Sequence, residues 1–147
     1  MSAESPKHSG GQGPLARKLP QMTRETAAFW TGGEHGQLLI QRCTACGLYQ
    51  HPPLPICSAC RTETVVPSAV SGKGKVKTFT INHQAWLPGL DEPFVFAAIE
   101  LDEQAELYVF SNVLAAPGSV MSGMQVAVCF EHLEDVWLPM FEPDHAA

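Results

Sequence analysis

The sequence is short of basic residues and of long apolar runs. Its nine Lys and Arg residues stand against fifteen Asp and Glu, for a formal net charge of -6. This balance argues against a nucleic-acid backbone as the main partner. The longest uninterrupted apolar stretch, FVFAAI, is far too short to cross a bilayer, and no N-terminal run resembles a signal peptide. We therefore expect a cytoplasmic protein with no membrane association.

Motifs of common enzyme classes are also absent from the sequence. It contains no Gly-x-Ser-x-Gly elbow, no His-Glu-x-x-His pair, no Walker loop and no dinucleotide fingerprint. Glu131, His132 and Asp135 are close in sequence, but at a predicted strand end they are interpreted as solvated polar residues. His83 and Trp86 follow a predicted strand and are candidates for the rim of a binding surface. The sequence thus predicts no catalytic residue.

Four of the five cysteines lie within one stretch, CTACGLYQHPPLPICSAC, in two Cys-x-x-Cys pairs that ten residues separate. Each such turn directs two sulfurs at one point, and two facing turns complete a tetrahedral thiolate set for Zn²⁺. A thioredoxin-like centre would need one pair beside a βαβ unit, and disulfides are rare in the cytoplasm. Four protein ligands leave no open position for water or substrate. The spacing therefore predicts one structural zinc, held by Cys43, Cys46, Cys57 and Cys60.

Two residues around these motifs and the fifth cysteine have interpretations of their own. Gly47 follows the first pair, where a tight turn often needs a positive φ. His51 lies between the pairs, either as a substitute ligand or, more simply, as a surface residue of the ribbon arm. Cys129 lies in an alternating strand pattern and is interpreted as a small buried hydrophobic residue, because nothing near it in sequence would activate a nucleophile.

The N-terminal part is predicted to be a flexible tail, residues 1–22, followed by a short helix within residues 23–36. Thr23 is a plausible N-cap, and the pair Gly32–Gly33 is expected to end the helix. Phe29 and Trp30 give this helix an aromatic end. They either staple the helix to its own domain or form a docking surface for a partner.

Downstream of the ribbon, assigned to residues 37–66, the pattern changes to strands. Five β-rich runs occupy residues 67–143, with turn residues between them such as Pro88–Gly89 and Asp102–Glu103. Five strands with a long first strand indicate an OB-fold barrel, although periodicity alone also permits a small sandwich. The predicted fold class is mainly β: a short helix and a zinc ribbon, followed by a five-stranded OB-fold barrel.

Three of the five lysines, Lys73, Lys75 and Lys77, alternate along the first of these strands. Alternate residues of a strand project from one face. The simple interpretation is a solvated strand face. The sharper hypothesis is an anion site, for instance for the phosphates of coenzyme A, because ammonium groups suit phosphate as point charges.

The ordered set of these motifs resembles a family of acyl-CoA-associated proteins with a rubredoxin-like zinc ribbon and an OB-fold. The similarity runs from about Thr23 to Pro143, over the aromatic helix, the ribbon, SGKGKVKTFT and GMQVAVCFE. The four cysteines of the ribbon occupy the family's ligand positions. The resemblance implies a non-catalytic subunit that stabilises a thiolase-like partner and helps it to accommodate acyl-CoA in steroid or fatty-acyl side-chain metabolism. The implied partner is a lipid-transfer-type aldolase, a thiolase or an acyltransferase, or else a hot-dog-type hydratase.

Two other functions remain as alternatives. The first is a single-stranded nucleic-acid-binding OB module, but residues 70–143 contain three Lys and no Arg against ten acidic residues. Their field would repel a phosphate backbone. The second is a stand-alone acyl-CoA hydrolase or transferase, which would need a nucleophile beside a base that the sequence does not indicate.

Overall fold

The computed structural model describes residues 18–86 and 90–145 of the chain. Most of the predicted tail, residues 1–22, and the predicted turn at Pro88–Gly89 lie outside these ranges. Within them the chain forms one α-helix, a three-stranded sheet and a closed five-stranded barrel. The predicted mainly β fold class, with a short helix and a ribbon before an OB-type barrel, is therefore confirmed.

The helix, α1 (Ala27–Thr31), is shorter than the predicted segment. Two threonines stabilise the turn that precedes the helix. The backbone N–H of Thr26 donates to Thr23 Oγ1 at 3.3 Å, and the backbone N–H of Thr23 donates to Thr26 Oγ1 at 2.9 Å. This reciprocal pair resembles a capping box, with a threonine as its second member. No helix within the described ranges is long and apolar enough to cross a membrane.

After α1 the chain continues as a 3-10 turn, Gly32–His35, which lies directly on the barrel. A Cβ atom on Gly33 would lie 2.5 Å from Phe130 Cδ1 and 2.5 Å from Trp137 Cβ. Gly33 is therefore needed for this close approach of backbone to side chain. The glycine pair predicted only to end the helix also fits it against the barrel.

The ribbon contains a small antiparallel sheet in the order β2-β1-β3. Its strands are β1 (Leu38–Cys43), β2 (Tyr49–Gln50) and β3 (Val65–Val70). β3 pairs with β1 along its whole length, from Cys43 opposite Val65 to Leu38 opposite Val70. The predicted boundary between the ribbon and the barrel, at residues 66 and 67, thus falls within this strand.

The barrel closes in the strand order β4-β5-β6-β8-β7. All its neighbouring strands are antiparallel except β6 and β8, which pair in parallel at Val113 and Phe141. The first strand pairs with β5 along most of its length and with β7 at its N-terminal end, and a register shift lies between Val76 and Thr78. The five strands are β4 (Lys73–Asn82), β5 (Phe94–Leu101), β6 (Tyr108–Val113), β7 (Gln125–Leu133) and β8 (Val136–Pro143).

One continuous hydrophobic core joins the helix, the ribbon and the barrel. Phe29 from α1 and Leu38 and Ile40 from β1 are buried together with the inward-facing residues of the barrel. Each such side chain contributes about 1.5–3 kcal/mol when fully buried. The shared core therefore fixes the ribbon and the helix to one side of the barrel. Its main barrel members are Val76, Val95, Ala97, Ile99, Val109, Val113, Val126 and Phe141.

Candidate metal centre and exposed apolar surface

The structure brings the four cysteines of the two Cys-x-x-Cys pairs together. Their sulfur atoms all lie within 4.8 Å of one another, with Cys43 Sγ 3.6 Å from Cys60 Sγ and Cys46 Sγ 3.6 Å from Cys57 Sγ. Zn–S bonds of about 2.3 Å in a tetrahedron place sulfurs about 3.8 Å apart, whereas a disulfide needs about 2.05 Å. The cluster therefore suits a zinc ion and does not form two disulfides.

Both cysteine turns are built in the same way. In the first, the N–H of Gly47 donates to Cys43 O at 2.8 Å, and Gly47 has the positive φ, 77°, that the sequence predicted. In the second, the N–H of Arg61 donates to Cys57 O at 3.0 Å, and Arg61 has a φ of 64°. A positive φ is uncommon for a residue with a side chain. The matching conformation of Arg61 reflects the demand of the turn and could not be predicted from its residue type.

Hydrogen bonds prepare two of the thiols to be thiolates. The pKa of Cys43 is lowered to about 5 by the Thr64 hydroxyl, the Cys46 N–H and the Thr62 hydroxyl. The pKa of Cys57 is lowered by the N–H groups of Cys60 and Ala59.

Cys46 behaves differently from these two thiols. A backbone hydrogen bond at Leu48 favours its thiolate, but the neighbouring sulfur of Cys57, burial, and the sulfurs of Cys43 and Cys60 outweigh it. They raise its pKa to about 11. Four thiolates this close would repel one another, so the sulfurs do not all ionise on their own. A divalent cation bound between them would offset this repulsion and favour the thiolate form of all four.

His51 lies away from the sulfur cluster. Its ring packs against Phe29 with 4.5 Å between the ring centroids, and its Nδ1 atom is buried without a hydrogen-bond partner among the described residues. Burial lowers the pKa of His51 to about 4. The interpretation of His51 as a surface residue of the ribbon arm is therefore wrong. It is a neutral, partly buried residue where the ribbon meets the helix.

The two aromatic residues of α1 have different environments. Phe29 is only 6% exposed and belongs to the shared core, so it is not available as a docking residue in the isolated chain. This corrects the prediction of a joint docking surface, and the staple interpretation describes Phe29. Trp30 packs edge-to-face on Phe29, with ring centroids 4.7 Å apart, but is only partly buried. A partner contact through Trp30 stays a prediction.

The three lysines of β4 are exposed, as alternation along the strand predicted. Lys73 Nζ lies 3.5 Å from Asp144, and Lys75 Nζ lies 3.4 Å from Glu100. Lys77, at the register shift, forms no ion pair within the described ranges. The carboxylates offset two of the three charges, which weakens this face as an anion site. Whether coenzyme A phosphates bind here stays a hypothesis.

The other polar candidates do not come together as a catalytic set. His132 stacks on Trp137, with ring centroids 3.9 Å apart, and its Nε2 atom is 2.7 Å from the carbonyl oxygen of Glu134. Burial and the charges of Glu142 and Glu131 raise the pKa of the Cys129 thiol, which disfavours a nucleophilic thiolate.

The two candidates after the first barrel strand, His83 and Trp86, are both exposed. Trp86 is 71% exposed, and its indole N–H donates to Asn82 Oδ1 at 2.7 Å.

An exposed aromatic pair on the barrel was missed by the sequence interpretation. Phe96 of β5 and Phe110 of β6 are 44% and 64% exposed, and their rings lie stacked with centroids 6.2 Å apart. A signal was present: FVFAAI and YVF are apolar at successive positions, which indicates a strand with apolar residues on both faces. Such a strand in a small barrel has an apolar outer face.

Beside Phe110 lies a groove of about 350 Å³ between α1, the ribbon and β6. It is lined mainly by aromatic and proline side chains, with one carboxylate at its edge. The lining includes Trp30, His51, Pro52, Tyr108, Phe110 and Glu106.

Comparison with known families assigns both parts of the chain. Residues 30–66 match the model of the ChsH2 rubredoxin-like zinc ribbon domain, and residues 68–131 match that of the ChsH2 C-terminal OB-fold domain. A DUF35 domain-containing scaffold protein of Methanocaldococcus jannaschii is 36% identical over 100 residues, which are 67% of this chain and 70% of that protein.

Two further relatives have enzyme-subunit names. The 3-oxo-4,17-pregnadiene-20-carboxyl-CoA hydratase alpha subunit of Mycobacterium tuberculosis is 34% identical over 132 residues, covering 89% of this chain and 42% of the relative. The benzoylsuccinyl-CoA thiolase subunit BbsA of Thauera aromatica is 33% identical over 78 residues, covering 53% of this chain and 52% of that subunit. The chain therefore spans less than half the length of the hydratase subunit that it matches.

A solved structure described as an Ltp2-ChsH2(DUF35) aldolase contains a chain of the same fold. The match has a TM-score of 0.77 and 29% identity, and it covers 85% of this chain and 98% of that one. Together with the ribbon and barrel geometry, these matches show that the chain belongs to the DUF35 family, with a ChsH2-type zinc ribbon followed by an OB-fold.

Proposed function

We propose that this chain is a non-catalytic, zinc-stabilised subunit of an acyl-CoA-processing complex whose catalytic chain is thiolase-like. The observation that carries the proposal is the match between this chain and 98% of a chain in the structure described as an Ltp2-ChsH2(DUF35) aldolase. The thiolase-subunit name of a second relative supports the same class of partner. The partner is an aldolase of the lipid-transfer type, a thiolase or an acyltransferase.

The chemistry of the site supports an accessory role. Four thiolates around a zinc ion leave no position for substrate, so the metal would hold the two cysteine turns together and polarise no carbonyl. The Cys129 thiol has a raised pKa, and His132 is stacked on a tryptophan. We therefore assign these residues structural roles in the chain and assign catalysis of the acyl-CoA reaction to the partner.

A hydratase is the second candidate partner, because one relative is named as a hydratase alpha subunit. In that arrangement a hot-dog-type hydratase would supply the catalysis. Within either complex, the lysines of β4 are candidates for contact with the phosphates of coenzyme A. Lys77 is the strongest of them, since Lys73 and Lys75 already face carboxylates.

The proposal is tested by recovering the tagged chain from its native cells and identifying its stoichiometric companion by mass spectrometry. We expect a thiolase-like or hydratase-like protein in about equal amount after size-exclusion chromatography. Recovery of the chain alone, under conditions in which other complexes of the same extract survive, would count against the proposal.

A further inference from the structure

The outer face of β5 and β6 is apolar where a soluble barrel normally carries polar residues. Burial alternates along β6 and at the start of β5, so Phe96 and Phe110 project from the barrel while Val95, Val109 and Ser111 face inward. The two exposed rings present on the order of 200 Å² of apolar surface. Isolated exposed hydrophobic residues are ordinary, but a stacked aromatic pair at the centre of a sheet face marks an interaction site.

This surface continues into the groove beside α1. Phe110 belongs to both, and Thr26, Trp30 and Pro52 are among the other residues that line the groove. Phe29 and His51, whose rings pack on each other, also line the groove, and Phe29 belongs to the shared core. The outer face and the groove therefore form one contiguous apolar surface, hereafter the β5–β6 surface, to which all three parts of the molecule contribute.

The charged residue that lines the groove is acidic. Glu106 lines the groove, and its backbone N–H donates to Glu100 Oε2 at 3.0 Å, which places two carboxylates at the same end. Glu100 is paired with Lys75, whereas Glu106 forms no ion pair with any residue that the structure describes. No Lys or Arg occurs within β5 or β6. A matching surface needs apolar side chains bordered by a Lys or Arg.

We propose that the β5–β6 surface is where the thiolase-like partner docks. The partner places an apolar side chain in the groove beside Trp30 and Phe110, and a Lys or Arg against Glu106. This inference rests on the proposed function and adds the surface and its chemistry. The aromatic pair is the centre of the interface and not all of it, since stable interfaces bury about 800 Å² on each partner.

A single-stranded nucleic acid is a poorer occupant of the same face. OB-folds do bind oligonucleotides on their second and third strands, which here are β5 and β6. That binding needs a positively charged groove to follow the phosphates. On this chain Glu106 lines the groove, and neither β5 nor β6 contains a Lys or Arg.

The test uses the full-length zinc-loaded chain and the thiolase-like protein recovered with it, both purified, and measures their dissociation constant. Phe110→Ser should weaken binding about thirty-fold or more, as expected for a central aromatic residue. Glu106→Lys should weaken binding about ten-fold, because the new Lys would face the Lys or Arg of the partner. The affinity of this variant should increase with added salt, which screens the repulsion between the two positive charges. Val66→Ser is the matched control: Val66, on the ribbon strand β3, is 44% exposed like Phe96, and we expect less than a two-fold change.

Each other outcome has a defined meaning. If all variants keep their zinc and melting temperature and Phe110→Ser binds as the wild type does, the docking proposal is wrong while the complex itself stands. If no thiolase-like protein is recovered with the wild-type chain, the proposed function is wrong, and the docking proposal that rests on it is wrong as well. Binding of a labelled oligothymidine that Phe110→Ser abolishes would assign the surface to nucleic acid. A dimer in sedimentation that the same variant dissociates would assign it to a second copy of the chain, and either result overturns the proposal.

Discussion

The ribbon and the barrel are stabilised by different means, although they share a core. Inside the barrel, inward-facing side chains from all five strands are buried against one another. In the ribbon, β3 has no fully buried residue, and Leu54 and Ile56 of the loop between the cysteine turns are 44% and 36% exposed. The buried apolar side chains of the ribbon strands are mainly Leu38 and Ile40 of β1. We infer that this burial offsets only part of the entropy of ordering the ribbon, and that a metal bound by the four sulfurs supplies the rest.

The ribbon and the barrel also differ in how their exposed apolar residues are arranged. The ribbon exposes scattered apolar residues around the metal centre, whereas the barrel exposes a stacked aromatic pair on one face. We infer that zinc sets the shape of the ribbon, and through Phe29 and His51 the wall of the groove. The barrel then provides the contact residues.

Removing a thiolate should have the largest effect. Cys46 is exposed, so Cys46→Ser changes little packing, yet it should reduce bound zinc from about one equivalent per chain to near zero. Apparent metal-binding free energies of structural zinc sites are about 10–16 kcal/mol, and this energy is linked to folding. Amide hydrogen exchange should then show β1–β3 unprotected while β4–β8 stay protected.

The control for this experiment is Cys129→Ser, which lies in the barrel and should leave the zinc content unchanged. A wild-type chain that is fully folded without metal and contains two disulfides would contradict the account of the ribbon. So would a Cys46→Ser chain whose ribbon amides stay protected.

Truncating the two aromatic residues of α1 should separate stability from partner binding. Phe29→Ala removes a core residue that touches both the ribbon and the barrel and should lower the free energy of unfolding by about 3–5 kcal/mol. Trp30→Ala should cost the chain less but weaken the partner complex by about 2 kcal/mol, roughly thirty-fold in affinity. Thermal melts of the chain and titrations with the partner measure the two effects. If Trp30→Ala weakens binding no more than its own loss of stability explains, Trp30 is a staple like Phe29.

A smaller effect should appear at acidic pH, at the junction of the ribbon and the helix. The pKa of His51 is lowered from 6.5 to about 4 in the folded chain, so the folded state binds fewer protons than the unfolded state between these values. The stability that His51 contributes is therefore complete above pH 6.5 and is lost as the pH falls towards 4. At pH 5 the loss is about 2 kcal/mol.

The matched variant for this effect is His51→Phe, which keeps a ring against Phe29 and cannot titrate. Chemical denaturation at pH 7 and pH 5, with zinc content followed in parallel, should show a smaller pH dependence for the variant. Equal pH dependence in both chains would mean that the His51 imidazole is not the responsible group.

Local patterns predicted the parts of the fold that local chemistry determines. The spacing of the cysteines indicated a ribbon because two short turns must direct four sulfurs to one point, and the β-rich runs with turn residues between them indicated five strands. The burial of Phe29 and the packing of the His51 ring against it depend on contacts between segments far apart in sequence. No pattern around either residue contains that information.

The exposed pair Phe96 and Phe110 was not predicted for the same reason: its position depends on contacts between segments far apart in sequence. Which side of β5 and β6 faces outward depends on the register of a closed barrel, including the parallel pairing of Val113 with Phe141 that closes it. Continuous apolar runs such as FVFAAI show only that both sides are apolar. The three-dimensional arrangement then decides that Phe96 and Phe110 are the exposed members and that they stack.

The central claim, that this chain is an accessory subunit and not an enzyme, is tested most directly by measuring acyl-CoA turnover in three samples. These are the zinc-loaded chain alone, its thiolase-like companion alone, and the reconstituted complex. We expect no thiolysis, acyl transfer, hydration or retro-aldol cleavage by the chain alone, and higher activity or a higher melting temperature for the companion in the complex. Turnover by the pure chain that is lost on changing Cys129 or His132 would contradict the account.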